Sequence, residues 1–434
     1  MPQWAEMTLS DLGPFPDAHG YEEARALDVA DPLSPHRDRY LRPDPDLIYL
    51  DGNSLGRLPV AAVKIIEQVT HRQWGDRLIR SWNDGWWDLQ LRLGDKLAPL
   101  LGASHGEVII SDSTSVNLYK LATAAVMATP ESRATIVTDD LNFPSDVYVL
   151  DSVAAQTGRS VEVISSDGVN GPVEALAEAI DERTSLVSLS HTVFQSGYTY
   201  DLAEITGLAH AAGAAVLWDC SHSAGAVPID FGAAGVDLAV GCTYKHLNGG
   251  PGSPAFLYVR RDLQEDLINP IAGWWGHADP FALDLDYRPV SGIRRFHTGT
   301  MPILSLATIE AGIDDVLEAT VEAVRKKSMA MAGYLVDLVE HHLAPLGFAL
   351  ASPVEPERRG SHISVRNDDS WPINLAMIEL GKVIPDFRAP DTIRLGLSPL
   401  YMRFVDLHTA VQRMVAIISS GAHDSFRGVK TTVT

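Results

Sequence analysis

Between about residue 60 and residue 300, short apolar runs rich in β-branched residues alternate with stretches whose apolar residues recur at helical spacing. No other feature limits the fold as much. "GEVIIS" leads into "TSVNLYKLATAAVMA", and "RATIVTDD" precedes "NFPSDVYVLDSVAAQTG". "SVEVISSD" is followed by "GPVEALAEAIDERT", "SLVSLS" by "DLAEITGLAHAAG" and "AAVLWD" by "HSAGAVPID"; "DLAVGCTY" closes the series. Strand and helix patterns in alternation predict βαβ units around a largely parallel sheet, an α/β fold. Such sheets bind ligands at the carboxyl ends of their strands.

From about Ser305 the pattern changes to one or two long helices, then "SHISVRN", a helical "NLAMIELGK", "DTIRLGL" and a last helix around "FVDLHTAVQRMVAIISS". This predicts a smaller α+β domain. The boundaries expected are an N-terminal arm over 1–58, a large domain over 59–303 and a small one over 304–434. The arm, rich in Pro and Asp with little periodicity, is expected to be extended. A chain of 434 residues readily holds two domains.

The net charge of −22 argues against nucleic acid and anionic membranes as partners. No apolar run approaches bilayer length, and "MPQWAEMTLSD" has no export-signal pattern, so a cytoplasmic location is expected. Two cysteines, Cys220 and Cys242, make no disulfide framework and read as small core residues.

Polar residues at strand ends carry the chemistry. "LAVGCTYKHLNGGPG" places Tyr244 and Lys245 directly after a buried run, in a segment built to turn. A buried ammonium is costly unless paired or neutral, and a neutral lysine condenses with aldehydes. Asp219 ends the preceding strand, 26 positions earlier. Alone it reads as a helix N-cap. With Lys245 it suits pyridoxal phosphate, which needs a lysine at its aldehyde and a carboxylate at its pyridine nitrogen. Thr114 and Ser115, between strand and helix, offer hydroxyls and N–H groups to a phosphate, or simple capping. Phe143 could stack on a ring, although in isolation it reads as core, and Asp146 could accept a hydrogen bond. Gly249, Gly250 and Gly252 read as backbone room beside the lysine.

Other chemistries fit less well. There is no HExxH and no paired-cysteine spacing, so no metal is expected. His341 and His342 read as solvent-facing. "WNDGWWD" and "GWWGH" gather five of the nine tryptophans, suited to core or to an aromatic pocket wall.

Taken together, "LDGNSLG", "WGDRLIRSWN", "GEVIISDSTSVNLYK", "NFPSD", "DCSHSAG", "CTYKHLNGGPG", "GWWGH", "GIRRFHTGT" and "DFRAPDTIRLGLSPLY" resemble kynureninase. The likeness runs in order from about residue 46 to residue 405. It implies an aspartate-aminotransferase-like, fold type I enzyme, with a mostly parallel sheet of the seven-stranded type, that uses pyridoxal 5'-phosphate. It further implies hydrolysis of L-kynurenine to anthranilate and L-alanine, in tryptophan catabolism, by a homodimer with shared active sites. Lys245 would bond the cofactor, Asp219 would meet its ring nitrogen and Tyr244 would relay a proton. Thr114, Ser115, Ser190, His222 and Tyr244 match cofactor contacts, with Phe143 on the ring and Asp146 nearby. Trp274 and Thr300 match phosphate contacts from the other subunit. Arg394 matches the arginine for the substrate carboxylate, a task suited to a bidentate fork.

Trp82, Gly299 and Thr300 match positions that track a preference for kynurenine over its 3-hydroxy form. Trp82 and Asn83 are candidate donors to the oxyanion, and Trp82, Trp274 or Trp275, and His277 would surround the aryl ring. Met301, where the family commonly has proline, and Gln195 depart from the pattern. The alternatives are an enzyme acting on another 4-aryl-4-oxo amino acid such as 3-hydroxykynurenine, a cysteine desulfurase, or a cofactor-binding protein without catalysis. The desulfurase needs a reactive cysteine beyond the lysine, and none follows Cys242.

Overall fold

A computed structural model describes residues 19–431. Its thirteen strands are β1 (Ile48–Tyr49), β2 (Val108–Ile110), β3 (Thr135–Asp139), β4 (Ser160–Ile164), β5 (Thr184–Ser190), β6 (Ala215–Asp219), β7 (Leu238–Gly241), β8 (Phe256–Val259), β9 (Ala349–Leu350), β10 (His362–Arg366), β11 (Val383–Ile384), β12 (Asp386–Arg388) and β13 (Thr392–Gly396). Seven form one sheet in the order β2-β8-β7-β6-β5-β3-β4. Pairings from β4 through β7 are parallel, and β8 runs antiparallel to both β7 and β2.

Each strand divides its side chains between two cores, as a period of two requires. In β6, Val216 and Trp218 enter one core and Leu217 the other; in β2, Val108 and Ile110 part from Ile109 in the same way. Helices Thr114–Met127 and Pro144–Thr157 cover the face of Leu217 and Ile109. The strand order reverses between β3 and β5, which places a crevice at their carboxyl ends.

The sequence series ended at residue 244; β8, from "FLYV", extends it. Only four residues long and buried on both faces, β8 has no alternation to mark it. Residues 221–230, expected to continue a helical pattern, form turns instead.

After the sheet come two helices, Ile303–Ala319 and Val321–Leu338, broken at Thr320, whose φ is 66°. A four-stranded antiparallel sheet follows, ordered β12-β13-β10-β9. Helix Ser370–Glu379 packs on it, and Phe404–Ser419 packs on that helix. β1 joins β11 in a separate parallel pair, tying residues 48–49 to this part of the chain.

The N-terminal segment is not simply extended: Tyr21–Val29 is helical and packs on Phe404–Ser419. The Asp28 carboxylate accepts the Phe404 and Val405 N–H groups at 2.7 and 3.1 Å, satisfying orphan donors at that helix start. His342 is likewise not solvent-facing. A wider π turn over Val339–Leu343 turns it inward, 3.2 Å from Gln412.

Candidate active site

The carboxyl ends of β5, β6 and β7 open onto one cavity of ≈ 230 Å³. A turn after β7 delivers Tyr244 and Lys245 to it. This turn needs its glycines: a Cβ on Gly249 would sit 2.9 Å from the Thr243 carbonyl, and Gly250 has φ 97°. "LDGNSLG" packs against the same turn, where the Gly56 N–H donates to the Tyr244 carbonyl at 2.7 Å.

Lys245 Nζ lies 2.8 Å from His222 Nε2. Burial and then the Lys245 charge hold the His222 ring well below its usual pKa, so it is neutral and can accept that hydrogen bond. Cys242 beside it, and then burial, push the Tyr244 phenol up, keeping its proton on the oxygen.

Asp219 is not a helix N-cap. Its Oδ1 accepts the Ser221 N–H at 2.9 Å and the Ser221 hydroxyl at 2.6 Å, and turns follow it. Asp146 is buried beside it, and its Oδ2 has no partner. Burial and then the Asp219 charge push the Asp146 carboxyl well above the usual range.

Ser113 takes the capping role at helix Thr114–Met127, accepting from the Val116 N–H at 3.4 Å. Thr114 and Ser115 therefore line the cavity at the helix N-terminus, and Ser115 Oγ lies 2.9 Å from Ser145 Oγ. Phe143 is not core: it is 45% exposed and lines the cavity at right angles to Phe194.

The structure thus gathers Thr114, Ser115, Phe143, Asp146 and Ser190 with Asp219, His222, Tyr244, Lys245 and Arg394 around one space. Gly299 and Thr300 line an adjoining cavity of ≈ 410 Å³ that shares Thr114, Ser115 and Tyr244. Met301 lines it too.

Trp82, Asn83, Trp274, Trp275 and His277, all expected at the site, lie outside both cavities. Trp82 stands 5.2 Å from Trp275 and 5.4 Å from Trp86 in an aromatic cluster, with Trp274 4.7 Å from Trp275. Asn83 is exposed, and His277 Nε2 is 3.1 Å from the Asp286 carbonyl. Residues given no role from the sequence line the main cavity: Asn53, Ser54, Phe194, Ser221 and Arg388. Ser54 and Arg388 stand inside quoted motifs, and strand alternation from Asp386 was a signal for Arg388.

Arg394 is fully buried. Its Nε and Nη2 donate to Asp386, its Nη1 to the Phe194 carbonyl and its Nη2 also to Ser54 Oγ at 2.9 Å. Among the described residues, no group of three or more His, Cys, Asp or Glu is placed to hold a metal, and no helix is long and apolar enough to cross a membrane.

Comparison with known proteins decides the family. Residues 324–414 match the model of the kynureninase C-terminal domain. Kynureninase of Pseudomonas fluorescens is 44% identical over 400 residues, spanning 91% of this chain and 94% of the relative. The chain belongs to the kynureninase family.

The fold is shared more widely. An apo cysteine desulfurase from Thermococcus onnurineus NA1 superposes with a TM-score of 0.72 at 18% identity, over 86% of this chain and 95% of its own. A variant of C-DES, solved with glycine covalently linked to the PLP cofactor, gives a TM-score of 0.74 at 18% identity, over 92% and 99%. These solved structures and the mostly parallel sheet agree with the fold type I architecture expected from the sequence.

Proposed function

We propose that this kynureninase-family protein hydrolyses L-kynurenine to anthranilate and L-alanine with pyridoxal 5'-phosphate held in the main cavity. The observation that carries the reading is the placement of Lys245, Asp219 and the Thr114–Ser115 helix start around one space. The residues fit the cofactor. The helix N-terminus and two hydroxyls suit a phosphate, the orphaned Asp146 Oδ2 and Asp219 suit a ring nitrogen, and exposed Phe143 offers a face for the ring.

When bound, pyridoxal phosphate supplies an aldehyde that condenses with amines and a protonated ring that accepts electrons. Lys245 would supply the amine for the link and, once displaced by substrate, take the α-proton on Nζ. Neutral His222, 2.8 Å away, accepts from Nζ and orients it. Asp219 is fixed by Ser221 and would hold the proton on the ring nitrogen. Tyr244 keeps its phenolic proton and would deliver it to Cβ as the Cβ–Cγ bond breaks. Water adds to the γ-carbonyl carbon, which leaves as the carboxylate of anthranilate. Arg394 would hold the α-carboxylate.

On this reading the large domain over 59–303 holds the cofactor, while Arg388 and Arg394 of the small domain and Asn53 and Ser54 of the N-terminal segment close the carboxylate end. A second copy of the chain brings Trp274, Thr300 and the Trp82–His277 aromatic surface to complete each site. What supports it is that Trp82, Trp274 and His277 lie outside this chain's cavity, with the exposed Phe281 ring 6.2 Å from Trp274. Buried, unpaired Cys220 and Cys242 suit a reducing compartment, and we place the protein in the cytoplasm. Incubation with L-kynurenine, and separately with 3-hydroxykynurenine, tests the activity: equal amounts of anthranilate and alanine support it, and turnover of the hydroxylated compound alone refutes it.

A further inference from the structure

Two arginines, not one, face the carboxylate end of the cavity. Strand β12 pairs antiparallel with β13, setting Asp386 opposite Arg394 and Arg388 opposite Thr392. Residues two apart in a strand share a face, so Asp386, Arg388 and Arg394 project together.

Their hydrogen bonds are unequally spent. Arg394 uses four of its five N–H groups on Asp386, Phe194 and Ser54. A carboxylate seeking two parallel N–H bonds could obtain them from Arg394 only by breaking one of these contacts. Arg388 is far less committed. Its Nη2 meets Asp386 at 3.0 Å, its Nη1 makes a 3.3 Å contact with the Phe387 carbonyl, and its Nε has no partner. Its side chain is 34% exposed and lines the cavity. Asp386 therefore neutralises one of two guanidinium charges and leaves one for a ligand.

We infer that Arg388 binds the substrate α-carboxylate together with Arg394, and so selects amino acids over the corresponding amines. Arg394 is the anchored member, fixed by Asp386 and Ser54; Arg388 is the free fork at the cavity wall. The inference rests on the proposed reading of the site for an amino-acid substrate.

Holoenzyme carrying Arg388→Gln tests it. The KM for L-kynurenine is expected to rise about tenfold or more, the loss of a charge-assisted pair, with kcat changed by less than about threefold. The dissociation constant of L-alanine, read from the change in cofactor absorbance, should rise by a similar factor. That of kynuramine, which lacks the carboxylate, should stay as in the unsubstituted protein. Should the glutamine variant not fold, Arg388→Lys keeps the charge and loses the fork, and is expected to raise both the L-alanine constant and the KM by a smaller factor.

Unchanged L-alanine affinity in the folded variant overturns the inference, as does equal weakening of alanine and kynuramine, which would mark Arg388 as a structural partner of Asp386. Because the dissociation constants need no turnover, a protein that binds amino acids but yields no anthranilate refutes the proposed reaction while leaving the arginine pair standing.

Discussion

Ser54 Oγ accepts a 2.9 Å hydrogen bond from Arg394 Nη2, and the Ser54 N–H donates to the Asp51 carbonyl at 3.0 Å. Asp51 is half-buried near Asp386, and desolvation, followed by the Asp386 charge, pushes its pKa up to about 7. The groups facing it are Ser54, Asp386, Arg394 and Arg388, with Tyr49, Tyr401 and Arg57 beyond. Below that value Asp51 is neutral and the two arginines outweigh Asp386. Above it a second carboxylate cancels the remaining positive charge. The KM for L-kynurenine is therefore expected to rise about three- to tenfold between pH 6 and pH 8.5. In Asp51→Asn that rise should vanish; a rise of the same size in the variant removes Asp51 from the account.

Lys120 is fully buried and donates to Asp112 and to the Phe296 carbonyl, each at 2.8 Å. The Thr298 hydroxyl reaches Asp112 Oδ1 at 3.2 Å. The ammonium thus ties the loop bearing Gly299 and Thr300 to the loop that starts helix Thr114–Met127. Lys120→Met leaves Asp112 without its counter-charge, a loss of about 3–5 kcal/mol. Thermal unfolding should move down by several degrees, and the dissociation constant for pyridoxal phosphate, by equilibrium dialysis, should rise about tenfold. A variant with unaltered melting and cofactor affinity would contradict this linkage.

Much of this arrangement was legible in the chain. Strand runs ending in Ser190, Asp219 and Gly241 share a sheet, and the strand-end rule brought their polar neighbours together without any tertiary information. What depends on register was harder to read. Arg388 and Ser54 acquire their places from the β12–β13 pairing and from the packing of "LDGNSLG" on the lysine turn. The upward push on the Asp146 carboxyl follows from burial beside Asp219, which two residues 73 positions apart do not announce. Phe143 looked like core because its composition was read without the crevice it faces. The inward His342 needed a π turn that no local pattern encodes.

Phe281 is 70% exposed beside Trp87 and Trp274, and Leu285, four residues on, is wholly exposed. Exposed apolar side chains beside an aromatic cluster suit an interface. The protein is expected to sediment as a dimer, and Phe281→Asp combined with Leu285→Asp to shift it to monomer at micromolar concentration with at least about a hundredfold loss of turnover. A fully active monomeric variant would overturn the shared site.

Asp219→Asn preserves an oxygen for the two Ser221 donors, so its melting temperature should move by no more than a few degrees. Its kcat should fall at least about a hundredfold, because an amide cannot hold the proton on the ring nitrogen. Equal rates for the two proteins would show that the carboxylate charge is not used.

The most direct measurement sets the unsubstituted protein and Lys245→Ala side by side, each loaded with pyridoxal phosphate and given L-kynurenine, with anthranilate fluorescence and cofactor absorbance recorded together. The unsubstituted protein should release anthranilate, while Lys245→Ala should lose both the visible band of the lysine-linked cofactor and turnover. Anthranilate release by Lys245→Ala at the rate of the unsubstituted protein, or none from a fully loaded unsubstituted protein, would contradict the account.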